Sequence, residues 1–270
     1  YEIYMGDWSS DVCSSDPRLA RHLREPSVDP IVLLLGALWV ALHTAPFVPQ
    51  LDLHAMWAAT RPLRALDGTL GGVARHFAAW LILAACLRSL LVRASFWRAF
   101  ALVALASLAV RVVFVRQALS LNEPLGLACA LPIIAALRAL PRARAARPKR
   151  LLVVVAWMVQ SLAPFTFSAT PGSFEWMPFI GFLGGGLENG YLSLLDKAFL
   201  YVGMLWLSRE SGGSIRATAA ALAVMAFGLE VAQCFLPGRV ADVTDPLLVL
   251  LAGYVVSLSR RGLRQASAVV

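Results

Sequence analysis

Eight stretches of this 270-residue chain are apolar over about 18 to 20 residues each, long enough to cross a hydrocarbon core about 30 Å thick. They run Pro30–Val48, Arg75–Val92, Trp97–Val115, Leu121–Leu140, Leu151–Ser168, Tyr191–Ser208, Arg216–Leu236 and Val243–Ser259. A backbone in lipid must satisfy its own hydrogen bonds, which leaves helices as the form such segments take. The expected fold class is therefore all-α, a polytopic transmembrane helical bundle of about eight spans. With 59% apolar residues, 15% charged residues and a mean hydropathy of +0.70, the composition sits far from that of a soluble domain. Pro132 falls inside the fourth stretch, where a kink is expected, and Ala55–Leu70 and Phe174–Leu187 are moderately apolar without forming clean spans.

Basic residues set the expected orientation, because short cytoplasmic loops carry the Lys and Arg excess. Arg18, Arg21 and Arg24 precede the first span, and Arg88, Arg93 and Arg98 flank the second loop. Arg138, Arg142, Arg144, Arg147, Lys149 and Arg150 fill the fourth loop, Arg209 and Arg216 flank the sixth, and Arg260, Arg261 and Arg264 follow the last span. Those are 17 of the 24 basic residues, all on one side of an eight-span chain, which places both termini in the cytoplasm. The net charge of +8 reads as this topology signal and as an attraction to anionic headgroups, not as a nucleic-acid patch. The expected partners are thus the bilayer itself and no nucleic acid.

Residues 1–16 stand outside the pattern. Asp7-Trp8-Ser9-Ser10-Asp11-Val12-Cys13-Ser14-Ser15-Asp16 is acidic and Ser-rich, resembles the translation of a sequencing-library adapter, and is set aside as a non-native tail. The remainder divides into an N-terminal four-helix half, 17–148, and a second four-helix half, 149–264. Ala45-Pro46-Phe47 ends the first span and Ala163-Pro164-Phe165 the fifth, 118 residues on, and Gln117 and Gln233 close later spans at an offset of 116. Such landmarks are those of two four-helix repeats, or of chance in apolar sequence.

Ionisable groups inside the second half carry the chemistry. At 1.5 Å per residue, Asp196 lies about 8 Å inside the outer end of its span and Glu230 about 9 Å inside the outer end of the next, on antiparallel neighbours. Lys197 is within reach of Glu230, Gln233 shares its face, and Arg239, Asp242 and Asp245 sit in the short outer loop and the start of the last helix. Asp242 and Asp245 also suit plain helix capping, and Glu230 could be paired with Lys197 or Arg239 merely to join helices. A carboxylate in hydrocarbon costs about 2.5 to 3.5 kcal/mol on insertion scales, so Glu230 must be paired, protonated or facing a polar cavity. The candidate polar cluster is Asp196, Lys197, Glu230, Gln233, Arg239, Asp242 and Asp245.

Other chemistry finds no support. Four cysteines and four histidines show no metal-ligand or disulfide spacing, and no cofactor motif is present. Gly181-Phe182-Leu183-Gly184-Gly185-Gly186 lacks the Lys-Ser/Thr ending of a phosphate loop and reads as an outer loop. An enzyme would need a nucleophile or a metal, and no motif supplies either. Glu230 as a general acid or base is permitted by its position and not required by it.

As a set, Asp196-Lys197, Glu230-x-x-Gln233, Phe235-Leu236-Pro237-Gly238-Arg239, a following Asp and Gly253 resemble the VanZ-like membrane-protein family over about 151–261. Trp176-Met177-Pro178-Phe179 is similar to that family's Pro-Phe element. The chain departs at Leu200, where the family often has His, and at Val249, where it often has Asn, so the resemblance carries fold further than activity. It implies a multi-pass protein of a bacterial cytoplasmic membrane, part of the cell envelope and linked to glycopeptide (teicoplanin) antibiotic resistance. The expectation is binding or modification of a phosphate- or sugar-bearing lipid or cell-wall component at the outer face, with Arg239 and Lys197 on the anionic group and Glu230 or Asp245 on hydroxyls. A transporter or flippase, with a cavity running between the halves, and a structural membrane subunit are the alternatives.

Overall fold

The computed structural model describes residues 28–49, 52–64, 66, 68–91, 95–114, 119–179 and 187–268. The tail 1–16, the basic residues Arg18, Arg21 and Arg24, and the glycine-rich run 181–186 lie outside them. Within them the chain is a bundle of α-helices with two two-residue strands, in keeping with an all-α reading.

Helix α1 (Pro30–Thr44) starts at an N-cap Asp29 whose carboxylate accepts from the Ile31 N–H at 3.0 Å, with Pro30 at the position where a missing N–H does no harm. Two short helices, α2 (Leu53–Ala58) and α3 (Arg61–Arg64), occupy the first semi-apolar connection. Then come α4 (Leu70–Leu90), capped by the Thr69 hydroxyl, α5 (Phe96–Val113) and α6 (Asn122–Arg138). The helix α6 continues through Pro132. Helix α7 (Arg142–Leu162) runs across the expected boundary at 148/149 into the second half, which continues with α8 (Leu187–Glu210), α9 (Ile215–Gln233) and α10 (Thr244–Ala268). Strands β1 (Phe174–Glu175) and β2 (Ala241–Asp242) pair in parallel between α7 and α8 and between α9 and α10.

Among the described residues, three helices are long and apolar enough to cross a membrane by length and composition: α4, α5 and α9. Helix α1 and the Thr244–Ser259 part of α10 are apolar but shorter. The remaining expected spans are shorter or interrupted by charge. The helix α7 begins nine residues before Leu151, so the basic run expected as a loop is its first turns, and it stops at Leu162 rather than Ser168. The helix α8 carries Asp196 and Lys197 in its middle.

Packing follows one scheme in both halves. The helix α4 packs on α6 of its own half and on α7 of the other, while α8 packs on α10 of its own half and on α1 of the other. Each half thus grips the first helix of its neighbour, and the shared core is aromatic: Trp39 lies against Trp80 and Phe199 at ring centroids of 4.9 and 5.7 Å. Small residues permit the closest crossings, as is usual where helices meet without a hydrophobic drive between them. A Cβ on Gly253 of α10 would meet the Ala219 Cβ of α9 at 2.7 Å, and one on Gly126 of α6 would meet the backbone nitrogen of Phe77 on α4 at 2.8 Å. The turn after the first helix of each half also matches, since Phe47 and Phe165 both adopt φ 64 and donate their N–H groups back to Thr44 and Leu162.

Basic side chains gather at one end of the bundle, where α4, α6 and α8 finish and α1, α7 and α9 begin. There Arg88 holds the Leu137 and Leu140 carbonyls, Arg150 donates to the Ser208 hydroxyl at 2.9 Å, and Arg209 pairs with Asp29. Trp206 donates to the same Asp29 at 3.0 Å, so the cap of α1 also ties that helix to α8.

Candidate functional site

The opposite end holds a cavity of about 600 Å³, and all seven residues of the candidate cluster line it: Asp196, Lys197, Glu230, Gln233, Arg239, Asp242 and Asp245. Three helices and one loop supply them, beside a wall from a fourth helix. The end of α7 forms one wall, the middle of α8 carries Asp196 and Lys197, the last turn of α9 carries Glu230 and Gln233, and the first turn of α10 carries Asp245. The loop between α9 and α10, including β2, brings Arg239 and Asp242 over the opening.

The pairings differ in detail from those the sequence suggests. Lys197 Nζ bonds Asp245 Oδ1 of α10 at 2.5 Å, close enough to Glu230 for its charge to act there as well. Glu230 is buried, 4% exposed, and its Oε2 accepts the backbone N–H of Asp242 at 3.1 Å. Asp242 in turn accepts the Thr244 N–H at 2.7 Å, a cap on the start of α10, and Thr244 Oγ1 accepts the N–H of Phe179 at 2.8 Å. The capping reading therefore fits Asp242, whereas Asp245 makes an interhelical ion pair. Arg239 donates to the Ala163 carbonyl at 3.1 Å, fastening the α9–α10 loop to the end of α7.

Two further strands of contact close the same end. The N–H groups of Ser168 and Gly172 donate to the Phe235 and Cys234 carbonyls, both at 2.7 Å, so the segment after α7 lies across the end of α9 before it becomes β1. β1 then pairs with β2, next to the backbone amide that Glu230 accepts. The rim of this end carries exposed apolar side chains, Phe165, Phe167, Trp176 and Met177.

Sequence reasoning missed several lining residues. Arg75, at the start of α4 in the first half, donates from Nε to Asp196 Oδ1 at 3.0 Å and so gives the cavity a wall from the other half. Its signal was the charge opening an otherwise apolar stretch. Gln160, Ser161 and Ser193 add neutral polar groups, and Trp157 and Tyr201 an aromatic floor in edge-to-face contact at 5.5 Å. Nothing in the local sequence of Tyr201 distinguishes it from a packing residue. The Tyr201 hydroxyl lies against Asp245, and Gln160 Oε1 is buried without a hydrogen-bond partner among the described residues.

Depth counted from helix ends is a poor guide here. Asp196 is nine residues into α8 and Glu230 three residues from the end of α9, yet both face the same cavity. Among the described residues no group of three or more His, Cys, Asp or Glu side chains is arranged to hold a metal ion. Chemically, the arrangement offers a polar, partly neutralised recess with acceptors, a few donors and an aromatic surface, under a rim that is apolar.

A second polar cluster lies at the same end in the first half. Glu123, 1% exposed, holds His43 through Oε1 at 3.2 Å and Arg111 through Oε2 at 2.5 Å, and the other ring nitrogen of His43 bonds the Trp39 carbonyl at 2.8 Å. It joins α1, α5 and α6 and was not anticipated, because its members are spread over 80 residues with no motif. No family model, no curated protein and no solved structure matches the chain.

Proposed function

We propose that this chain is a VanZ-like integral membrane protein of a bacterial cell envelope, crossing the cytoplasmic membrane about eight times as two four-helix repeats, with both termini cytoplasmic. Its proposed function is to bind or modify a lipid-linked or cell-wall component in the cavity at the outer face, with a contribution to glycopeptide resistance. One observation carries the reading: seven ionisable or amide side chains from four separate elements converge on a single recess at the end of the bundle away from the basic residues. By the positive-inside rule that end faces outward, and the exposed Trp176, Phe165 and Phe167 beside it suit the headgroup layer, where aromatic side chains collect. Leu200 lines the cavity at the position where the VanZ-like family, which the sequence resembles, often carries His. Binding is therefore favoured over a proton-transfer reaction at that point.

Transport is the second reading, and Arg75 favours it. Its bond to Asp196 brings one side chain of the first half to the recess, and transporters of repeated architecture hold their substrates where repeats meet.

The deciding experiment expresses Glu230→Gln and Arg239→Ala in a bacterial host and scores membrane accumulation together with teicoplanin sensitivity. Both variants are expected to accumulate like the parent and to lose the resistance phenotype. Failure to accumulate would mean that the charges only hold helices together. Cysteine-labelling from both membrane faces separates transport, which needs Ser193 to become reachable from the cytoplasmic side, from binding, which does not.

A further inference from the structure

We infer that α7 holds an anionic phospholipid of the leaflet at the basic end, with its phosphate on Arg144 and Arg147 and one acyl chain along Leu151, Val155 and Met158. The inference stands apart from the recess, which lies at the other end of the bundle, and rests only on the chain being embedded in a bilayer.

The five side chains form one exposed stripe. At about 100° per residue, Arg144, Arg147, Leu151, Val155 and Met158 fall within about a quarter of the helix circumference, and all five are exposed. The opposite face, with Ala145, Ala146, Lys149, Val153, Ala156 and Trp157, is the buried one, and α7 packs chiefly on α4 and α8. Along the stripe the character changes from basic to apolar between Arg147 and Leu151, a rise of about 6 Å. A phospholipid makes the same change from its phosphate to its hydrocarbon. From Arg147 to Met158 the rise is about 16 Å, close to one leaflet of a core about 30 Å thick. Leu151 is 63% exposed and Val155 47%, so no helix of the bundle covers this track.

The other cations of α7 are turned elsewhere. Arg142 donates to the Arg88 carbonyl at 2.5 Å, Arg150 to the Ser208 hydroxyl at 2.9 Å, and Lys149 is buried in a small cleft that it shares with Glu210. Among the described residues, Arg144 and Arg147 have neither a hydrogen bond nor an ion pair. Two guanidinium groups one turn apart can clasp a single phosphate through charge-assisted bonds. No Asp or Glu occurs in α7, so the ammonium of a zwitterionic headgroup would find no carboxylate on this helix and would meet the arginines instead. A headgroup of net negative charge avoids that repulsion. A second copy seated on the same stripe about a two-fold axis would bring two pairs of arginines together, which disfavours it as the occupant.

The test reconstitutes the full chain in nanodiscs of phosphatidylcholine and phosphatidylglycerol in equal parts with matched acyl chains, and counts retained lipids by native mass spectrometry. Phosphatidylglycerol is expected to be retained about 10- to 30-fold over phosphatidylcholine, as two cations at the headgroup would give. Arg144→Gln with Arg147→Gln should abolish that preference. Arg98→Gln with Arg216→Gln, which removes two exposed arginines of α5 and α9 at the same end, should leave it in place. Equal loss in the two double variants would overturn the site in favour of diffuse attraction, and so would a parent chain with no preference. Phosphatidylglycerol carrying a photoreactive diazirine in its acyl chain is expected to label residues 151–158 of the parent, a result that does not depend on the variants folding. Labelling confined to other helices, or a dimer in which this stretch is protected from label, would overturn the inference. Each of these outcomes leaves the reading of the recess standing, whereas a chain that does not enter the nanodiscs would overturn both.

Discussion

The two halves of the bundle bury polar groups at the same end and finish them differently. In the first half the three members of the cluster satisfy one another: both oxygens of Glu123 are taken, one by His43 and one by Arg111. In the second half Lys197 and Asp245 pair, but Glu230 relies on a backbone amide, and a cavity opens beside all of them. The contrast separates two uses of charge within the bundle. A closed cluster joins helices and has no capacity left for a ligand. An open one carries the same kinds of residue around a cavity, the arrangement on which the proposed binding rests.

Four substitutions test that contrast. Glu123→Ala should be the most damaging, since it strands a buried Arg111 and His43; the expected loss is about 3 to 5 kcal/mol, seen as failure to accumulate or a collapsed melting temperature. Lys197→Met leaves Asp245 beside a recess that water enters, so its expected cost is smaller, about 1 to 3 kcal/mol by the same thermal measurement. A loss equal to that of Glu123→Ala would mean that the second cluster is as closed as the first. Glu230→Gln keeps an oxygen that accepts the Asp242 N–H and should change stability by less than about 1 kcal/mol. The smallest effect belongs to Arg75→Gln. With the Arg75 side chain 42% exposed, its pair with Asp196 should contribute about 0 to 1 kcal/mol, declining with added salt.

The candidate site was legible in the sequence because charge is conspicuous against an apolar background. Glu230 and Asp196 announce themselves in stretches where nothing else is ionised. The partners were not legible: Lys197 bonds Asp245 of α10, 48 residues on, and nothing in the sequence says that α8 and α10 meet there. Arg75 was named only as a topological landmark, since nothing local says that α4 stands against α8. Glu123 and Arg111 were passed over for a related reason, each being a single charge near the end of a span, where snorkelling to water is the ordinary expectation. Helix bounds slipped where composition and hydrogen bonding part company. Arg142 to Arg150 are polar enough for a loop, yet they are good helix formers apart from Pro148, and α7 runs through them.

The Lys197–Asp245 bond spans 48 residues of sequence, and that interval has a meaning in time. A ribosome releases α8 well before α10 exists, so the ammonium of Lys197 is made with no carboxylate from the last helix to meet it. Asp196 is not in that position, because Arg75 was made long before. The nascent protein therefore passes through a stage in which one half of the recess is anchored and the other is unfinished, and only the arrival of the final helix ends it. A chain stopped short of Asp242 would be held at that stage, with Lys197 and Glu230 exposed together to whatever quality control inspects unfinished membrane proteins.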